Sequence, residues 1–424
     1  MKLGFIYFTD IGNSQKGVAV IHGETPFNIT SVGELDTATN WLTNHPDGIP
    51  GGVAGAHALF FGDSYLRIKV EKVLKQLCVS EDTPVSRKAE IMGQIFHNVI
   101  TYGRKIFGVE VLPRYEYRKG LRRILKEEDE IELPELVSKM VTDSTQYYTF
   151  CTEEINKDRL LSFALPAVKH SRNILKTPLP EGEWKRIANI PHFPEEIKEW
   201  LGQRKTPYFA KVVLSNFDEQ YSSLINFGSV TPEKSERQWV TCVELEKLYD
   251  KVDVTILEAW ESEGVVALPK PIMSEIDTLP EIGDLSFSLG LFMDNVWTGL
   301  SLNSVPSFFR SKKSGRYQNV VGPFLRAADW AYCFEKAVAL KKMGFSIASY
   351  GVGTVVVDSS FQTNEEIVLA ALKNDLIPPV CKDIRVESEA NDTYLTKLQA
   401  LYLSGSTDQL VAVDAMCTDK YMRV

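Results

Sequence analysis

The sequence lacks any long apolar run. No segment approaches the roughly 20 apolar residues that a membrane-spanning helix needs, so we expect no membrane partner. Residues 1–13 place a single lysine and a short apolar run before Asp10, which favours a first strand over a signal peptide. A hydrophobic content of 44% and a charged content of 24% are typical of a globular chain.

The sequence also lacks paired cysteines. Its six cysteines are scattered without a CxxC pair, which argues against a zinc site or a disulfide framework and fits a reducing cytoplasm. No Ser/His/Asp or Cys/His order predicts a nucleophilic site, and His57 and His97 are interpreted as packed or surface residues. The glycines near residue 351 lack the lysine of a phosphate-binding loop. We therefore predict no cofactor and no metal.

An excess of positive charge is missing as well, because the net charge is −9. This argues against a general polyanion binder, yet the basic residues cluster in residues 114–126 and 308–317, where they alternate with aromatic residues. A single-strand channel uses cations for phosphates and rings for bases, although either stretch alone also fits a solvated surface. The predicted nucleic-acid-binding residues are Arg114, Tyr115, Arg118, Lys119, Arg122, Arg123, Phe309, Arg310, Lys312, Lys313, Arg316 and Tyr317.

Apolar patterning predicts an α/β fold class of two or three domains over 424 residues. Residues 177–206, rich in proline, tryptophan and charge, are predicted to be a surface connection. The predicted strands lie at 3–8 and 17–21 and within 207–265, and a hairpin is predicted within 345–357. The predicted helices lie at 33–43, 64–78, 84–107, 130–157 and 322–343.

Two short motifs, separated by a predicted helix, occur in the second half of the chain. Residues 296–304 read VWTGLSLNS, and the helix that follows leads into SIASYGVGTVVVD. This resembles the protein-primed B-family DNA polymerases of phages, in which motif B (K-L-x-L-N-S-x-Y-G) precedes a hairpin with motif C (Y-x-D-T-D-S). Leu302, Asn303 and Ser304 match motif B, whereas Gly351 and Gly353 stand where motif C has aspartates. Gly299 and Pro306 replace the motif B lysine and tyrosine.

Motif A of that family, D-x-x-S-L-Y-P, resembles residues 160–166 (LLSFALP). In this alignment Leu160 stands at the position of the catalytic aspartate, and Asp158 lies two residues out of register. Residues 239–260 resemble the palm segment of the family. In the N-terminal part, the family's exonuclease motifs match only in part. Asp10, His57, Phe61, Lys139 and Asp143 match, whereas Gly12 and Gly62 stand where the family has acidic residues.

The resemblance implies an RNase-H-like exonuclease-type domain over residues 1–155. It implies a palm with reduced fingers over residues 156–424, with an insertion at about 177–290. The thumb is expected to be missing, because the chain ends about where the family's K-x-Y motif stands. Two-metal phosphoryl transfer needs carboxylate ligands for Mg²⁺. Their replacement by glycine and leucine predicts no catalytic residue, no metal and no enzymatic activity.

The function implied is single-stranded-DNA binding by a transcription cofactor that recruits a phage polymerase to DNA. The chain is expected to resemble the single-stranded-DNA-binding cofactor of the heterodimeric RNA polymerase of N-four-type phages, acting in the host cytoplasm. Its partners would be single-stranded DNA and a phage RNA polymerase. Two alternatives stay open: a metal-dependent 3′–5′ exonuclease that uses Asp10, Asp63 and Asp143, and a replication accessory subunit bound to a replisome component.

Overall fold

The structure is a computed structural model. It describes residues 4–10, 16–21, 27–30, 79, 82–93, 136, 140, 149–151, 153–156, 159–225, 238–266, 270–279, 297 and 320–376. The chain divides into two compact units. One contains Met1–Tyr117, Leu279–Phe292 and Val380–Val424, and the other contains Arg118–Thr278 and Met293–Pro379. The predicted domain boundary near residue 155 stays a prediction.

The described elements form a mixed α/β fold with antiparallel sheets. The strands are β1 (Gly4–Asp10), β2 (Lys16–Ile21), β3 (Phe27–Ile29), β4 (Thr149–Phe150), β5 (Leu160–Ala164), β6 (Leu179–Arg186), β7 (Tyr208–Ser215), β8 (Gln238–Thr241), β9 (Asp253–Val266), β10 (Ser346–Gly351) and β11 (Thr354–Asp358). The helices are α1 (Ala167–Leu175), α2 (Pro194–Gly202), α3 (Glu219–Ser222), α4 (Cys242–Leu248), α5 (Lys270–Asp277), α6 (Val321–Lys342) and α7 (Asn364–Asn374).

The first unit contains an antiparallel sheet in the order β1-β2-β3. Its register places Ile6 opposite Ala19 and Val18 opposite Asn28, and it is interrupted between Phe8 and Asp10. Residues 85–93 are helical. The two strands predicted at the start of the chain are thus confirmed. The predicted helices at 33–43 and 64–78 lie outside the described residues, and the five-stranded RNase-H-like sheet stays a prediction.

The second unit holds a sheet in the order β4-β10-β11-β5, called here the hairpin sheet. Strands β10 and β11 form an antiparallel hairpin in which Tyr350 lies opposite Val355. Strand β5 pairs with the outer side of β11 and places Phe163 opposite Val355. The hairpin predicted in residues 345–357 is therefore confirmed, and so is the helix predicted immediately before it.

A second sheet of this unit has the order β6-β9-β7-β8 and is called here the long-strand sheet, because β9 spans 14 residues. The interpretation of residues 177–206 as a surface connection is wrong: they form β6 and α2. Trp184 and Lys185 pair with residues of β9, and the indole of Trp200 donates to the carbonyl of Asn189 at 2.7 Å. Pairing with β9 and burial of the Trp200 indole stabilise this segment although its prolines favour turns. Pro194 is compatible with a helix because it lies at the first position of α2, where the backbone N–H has no partner within the helix.

Helix α6 packs against both sheets. Phe324 near its start contacts Phe209 of the long-strand sheet, with ring centroids 5.1 Å apart. Further along, the rings of Trp330 and Phe334 stack at 4.9 Å beside Tyr350 of the hairpin sheet. This double contact explains why α6 is apolar on most of its circumference, and it fixes the hairpin against the helix. Among the described residues, no helix is long and apolar enough to cross a bilayer.

Candidate functional site

The turn between β10 and β11 is the starting point of the site. Gly351 and Gly353 have φ values of 136° and 67°, which only glycine adopts without steric cost. Val352 between them also has a positive φ, 49°, a conformation that is unfavourable for a β-branched residue. A turn of this kind needs support from its surroundings.

Asp329 on α6 supplies that support. Its carboxylate accepts hydrogen bonds from the backbone N–H of Val352 at 2.7 Å and of Gly353 at 2.8 Å. The side chain is only 3% exposed, so these bonds act in a medium of low polarity. The carboxylate thus accepts from backbone N–H groups of the kind that bind anions in glycine-rich turns. The turn N–H groups are therefore already engaged within the chain.

His170 and Cys333 complete a buried cluster around the same carboxylate. His170 on α1 brings Nε2 to 2.8 Å from Asp329 Oδ1, and Cys333, one helical turn after Asp329, brings Sγ to 3.6 Å. One ligating atom from each residue lies within 4.8 Å of the other two. Burial, together with the neighbouring Asp329 charge, raises the pKa of the Cys333 thiol well above its ordinary value.

Packing fixes the orientation of the His170 ring. The rings of Trp297 and Tyr332 meet it edge-on, with centroids 6.2 and 5.7 Å away. A methyl group at Gly353 would lie 3.2 Å from His170 Cδ2, a tight contact that adds to the strain that its positive φ would impose on any other residue. In the hydrogen bond between Nε2 and Asp329, the role of the ring nitrogen follows from the tautomer. Within the described ranges, Nδ1 has no hydrogen-bond partner.

The register of β5 shows where the residues that resemble motif A lie relative to the turn. Leu160 lies opposite Asp358, at the far end of β11, whereas Ala164 lies opposite Thr354 and the N–H of Leu165 donates to the carbonyl of Gly353 at 2.8 Å. With a rise of about 3.3 Å per residue, Leu160 is about 16 Å along the strand from the turn. Leu160, which the sequence aligns with the catalytic aspartate of motif A, therefore lies at the end of β5 that is far from the turn, and the alignment itself stays a prediction. Neither strand β5 nor its register was predicted from the sequence, since register depends on which side chains are buried.

Asp358, at the end of β11, is a carboxylate that holds two neighbouring loop segments. It accepts from the N–H of Asn156 at 2.6 Å and from the N–H and hydroxyl of Ser360 at 2.9 and 2.6 Å. Burial opposes its ionisation, and the bonds from Ser360 and Asn156 outweigh that effect and lower its pKa. The position at the end of β11 keeps Asp358 away from the turn.

Glu153 forms another polar cluster in the same unit. It accepts from the Lys341 ammonium, from the Ser223 hydroxyl at 2.6 Å and from the Ile347 N–H at 3.0 Å. Burial alone would raise the pKa of Glu153, but the bonds from Lys341, Ser223 and Ile347 lower it overall. With all its oxygens engaged, this carboxylate joins α6 to β10 rather than facing a ligand.

The sequence-predicted binding residues lie elsewhere. All twelve residues of the two basic-aromatic stretches fall outside the described residues, as do motif B residues 302–304, so these predictions stay predictions. Of the exonuclease candidates, Asp10 ends β1, and Asp63 and Asp143 lie outside the described ranges.

Sequence reasoning missed the cluster of His170, Asp329 and Cys333. The i, i+4 spacing of Asp329 and Cys333 on a predicted helix places both on one face, which was an available signal. Nothing in the sequence connects them to His170, 159 positions before Asp329.

Comparisons with known proteins give a partial likeness. No protein-family model matches the sequence, and the search of curated proteins finds no relative. Among solved structures, the orthorhombic crystal form of Phi29 DNA polymerase shares 11% identity with a TM-score of 0.43, over 70% of this chain and 60% of that one. The same polymerase with primer-template DNA and incoming nucleotide gives 12% and 0.40 over 68% and 58%. Its complex with single-stranded DNA gives 12% and 0.39 over 69% and 59%.

The chain thus spans about three fifths of the length of the polymerase that it resembles. The prediction of a protein without enzymatic activity is wrong as it was stated, because the structures that resemble this chain are DNA polymerases, which are enzymes. What the comparisons establish is a similarity, at low identity and over part of both chains, to a protein-primed B-family DNA polymerase.

Proposed function

We propose that this chain is a polymerase-like protein that binds single-stranded DNA and recruits a phage polymerase to it as a transcription cofactor. The observation that carries the proposal is the pairing of β5 with the β10–β11 hairpin directly after α6. Residues 160–166, which resemble motif A, and the hairpin, which resembles motif C, are far apart in the chain and are neighbours in one antiparallel sheet. This is the arrangement expected of a polymerase palm.

The basic-aromatic stretches support the DNA-binding part of the proposal. The chain is acidic overall, yet it contains two separate clusters of arginine, lysine and aromatic residues. This composition is typical of a surface that binds single-stranded DNA, because the cations bind phosphates and the aromatic rings stack on unpaired bases. Duplex DNA is expected to bind more weakly, because the aromatic side chains cannot reach bases that are already stacked. The RNA polymerase partner rests on the resemblance to the cofactors of N-four-type phages.

A charge-matched pair of variants tests the DNA-binding claim. The first replaces Arg310, Lys312, Lys313 and Arg316 with alanine. The control replaces Lys185, Arg186, Lys198 and Lys205, four exposed cations of the described region, and so changes the net charge equally. We expect the first variant to bind oligo-dT at least about tenfold more weakly, because it loses phosphate contacts, and the control to bind like wild type.

Two results would count against this assignment. Equal weakening of both variants, with circular dichroism unchanged, would mean that net charge and not a particular groove determines binding. Degradation of the oligonucleotide from its 3′ end in the presence of Mg²⁺ would favour the exonuclease alternative.

Capture of the tagged protein from infected cells identifies its protein partner. Recovery of RNA polymerase subunits supports the cofactor role, and recovery of replication proteins supports the accessory-subunit alternative.

A further inference from the structure

We propose that His170, Asp329 and Cys333 form a buried binding site for one zinc ion next to the β10–β11 turn. The three residues bring together an imidazole nitrogen, a carboxylate oxygen and a sulfur, which are the three donor types of protein zinc sites. This goes beyond the proposed function, because binding of single-stranded DNA requires no metal.

The elements that carry the donors hold them in place. Asp329 and Cys333 project from one face of α6, and His170 approaches from α1, which packs on the same helix. All three side chains are almost fully buried: His170 and Asp329 are 2% and 3% exposed and Cys333 is 0% exposed. Donors locked by packing on two helices are preorganised, so an ion would find its ligands without ordering a loop.

Two of the three separations between donor atoms are close to those around a tetrahedral ion. Zinc bonds of about 2.0 Å to nitrogen and oxygen and 2.3 Å to sulfur place the N and O donors about 3.3 Å apart and the S and O donors about 3.5 Å apart. In the structure, Nε2 and Oδ1 are 2.8 Å apart, and Sγ and Oδ1 are 3.6 Å apart. A shift of about 0.5 Å at His170 would bring Nε2 and Oδ1 to the separation expected around zinc. Binding uses the neutral ring with its proton on Nδ1, and the Cys333 thiol releases its proton to solvent as the thiolate binds the ion.

The donor set selects zinc over magnesium. Mg²⁺ takes oxygen ligands in octahedral geometry and would leave the thiol and imidazole unused, whereas zinc binds sulfur and nitrogen readily. The described residues supply three ligands, and a water molecule would complete the tetrahedron. Through Asp329, whose carboxylate also accepts from the turn, such an ion would brace the hairpin.

Metal analysis of the full chain, purified without chelators or metal-affinity resin, tests the site. We expect about one zinc per chain, retained in Cys242→Ser and lost in Cys333→Ser. Cys242 is a fair control because, within the described residues, the only metal-capable cluster found is that of His170, Asp329 and Cys333. Cobalt substitution gives a second readout, since thiolate ligation produces a charge-transfer absorption band. We expect that band in wild type and Cys242→Ser and not in Cys333→Ser.

The proposal can fail independently of the folding of any variant. Wild-type protein that contains no stoichiometric metal and gives no cobalt–thiolate band overturns the site and leaves only a hydrogen-bonded anchor. Zinc and a cobalt band that both survive in folded Cys333→Ser overturn it too, because the ion would then lie on other cysteines. Wild-type DNA binding in metal-free protein would leave the proposed function intact.

Discussion

At the scale of single residues, Asp329 organises the most unusual piece of backbone in the hairpin sheet. The turn at 351–353 has three consecutive positive φ values, one of them at a valine, and such a conformation persists only when its surroundings determine it. Two backbone N–H groups and the His170 ring all converge on this one carboxylate. The residue thus links α6, α1 and the hairpin through a single buried group.

Asp329→Asn tests that role. The amide keeps one acceptor but turns N–H donors toward the backbone N–H groups, and each buried polar group left unsatisfied costs about 1–3 kcal/mol. We expect the free energy of unfolding to fall by about 2–4 kcal/mol in denaturant titrations. Asp250→Asn, which removes an exposed carboxylate paired with Lys251, serves as the control and should change little. An Asp329→Asn loss as small as that of the control would show that the turn does not depend on this carboxylate.

At the scale of elements, two helices begin with the same capping box in different surroundings. Thr241 and Glu244 begin α4 and are both fully buried, whereas Thr363 and Glu366 begin α7 at the surface. In each box the threonine hydroxyl accepts from the glutamate N–H, and the carboxylate accepts from the threonine N–H and hydroxyl. The comparison isolates the effect of burial on identical chemistry.

Thr241→Ala should therefore cost more stability than Thr363→Ala. Loss of the cap costs about 1 kcal/mol, and at the buried site the carboxylate also loses a donor that water cannot replace, which adds about 1–3 kcal/mol. Thr363→Ala should show only the smaller effect, because water can solvate the exposed glutamate. Chemical denaturation of both variants gives the comparison. Equal losses, or a larger loss for Thr363→Ala, would contradict the assigned burial of α4.

The elements also show what could be predicted from the sequence. Helix α6 and the hairpin were predictable because long apolar periodicity and two glycines are local signals. Strand β6 and helix α2 were not, since their stability comes from pairing with β9 and from burial of Trp200, both set by distant parts of the chain. The register of β5 was missed for the same reason. The cluster around Asp329 needed the fold itself, because its members lie far apart in sequence.

At the scale of the whole molecule, the net charge of −9 and the two basic-aromatic stretches act in opposite directions. Diffuse negative charge disfavours polyanions at low ionic strength, where screening lengths are long, while a local basic groove releases counterions when it binds phosphates. Such a protein binds single-stranded DNA only when the attraction between the basic stretches and the phosphates exceeds the repulsion from the net negative charge. The salt dependence of binding reveals which of the two dominates.

The most direct test of the central claim is therefore a salt titration of oligo-dT binding by the full chain, followed by fluorescence anisotropy. We expect log K to fall linearly with log salt concentration, with a slope of about −0.7 for each phosphate contacted. The slope should be flatter in the variant that lacks Arg310, Lys312, Lys313 and Arg316. Matched duplex should bind more weakly at every salt concentration. No measurable binding to oligo-dT at low salt, or affinity for duplex equal to that for the single strand, would contradict the proposal that this chain is a single-stranded-DNA-binding protein.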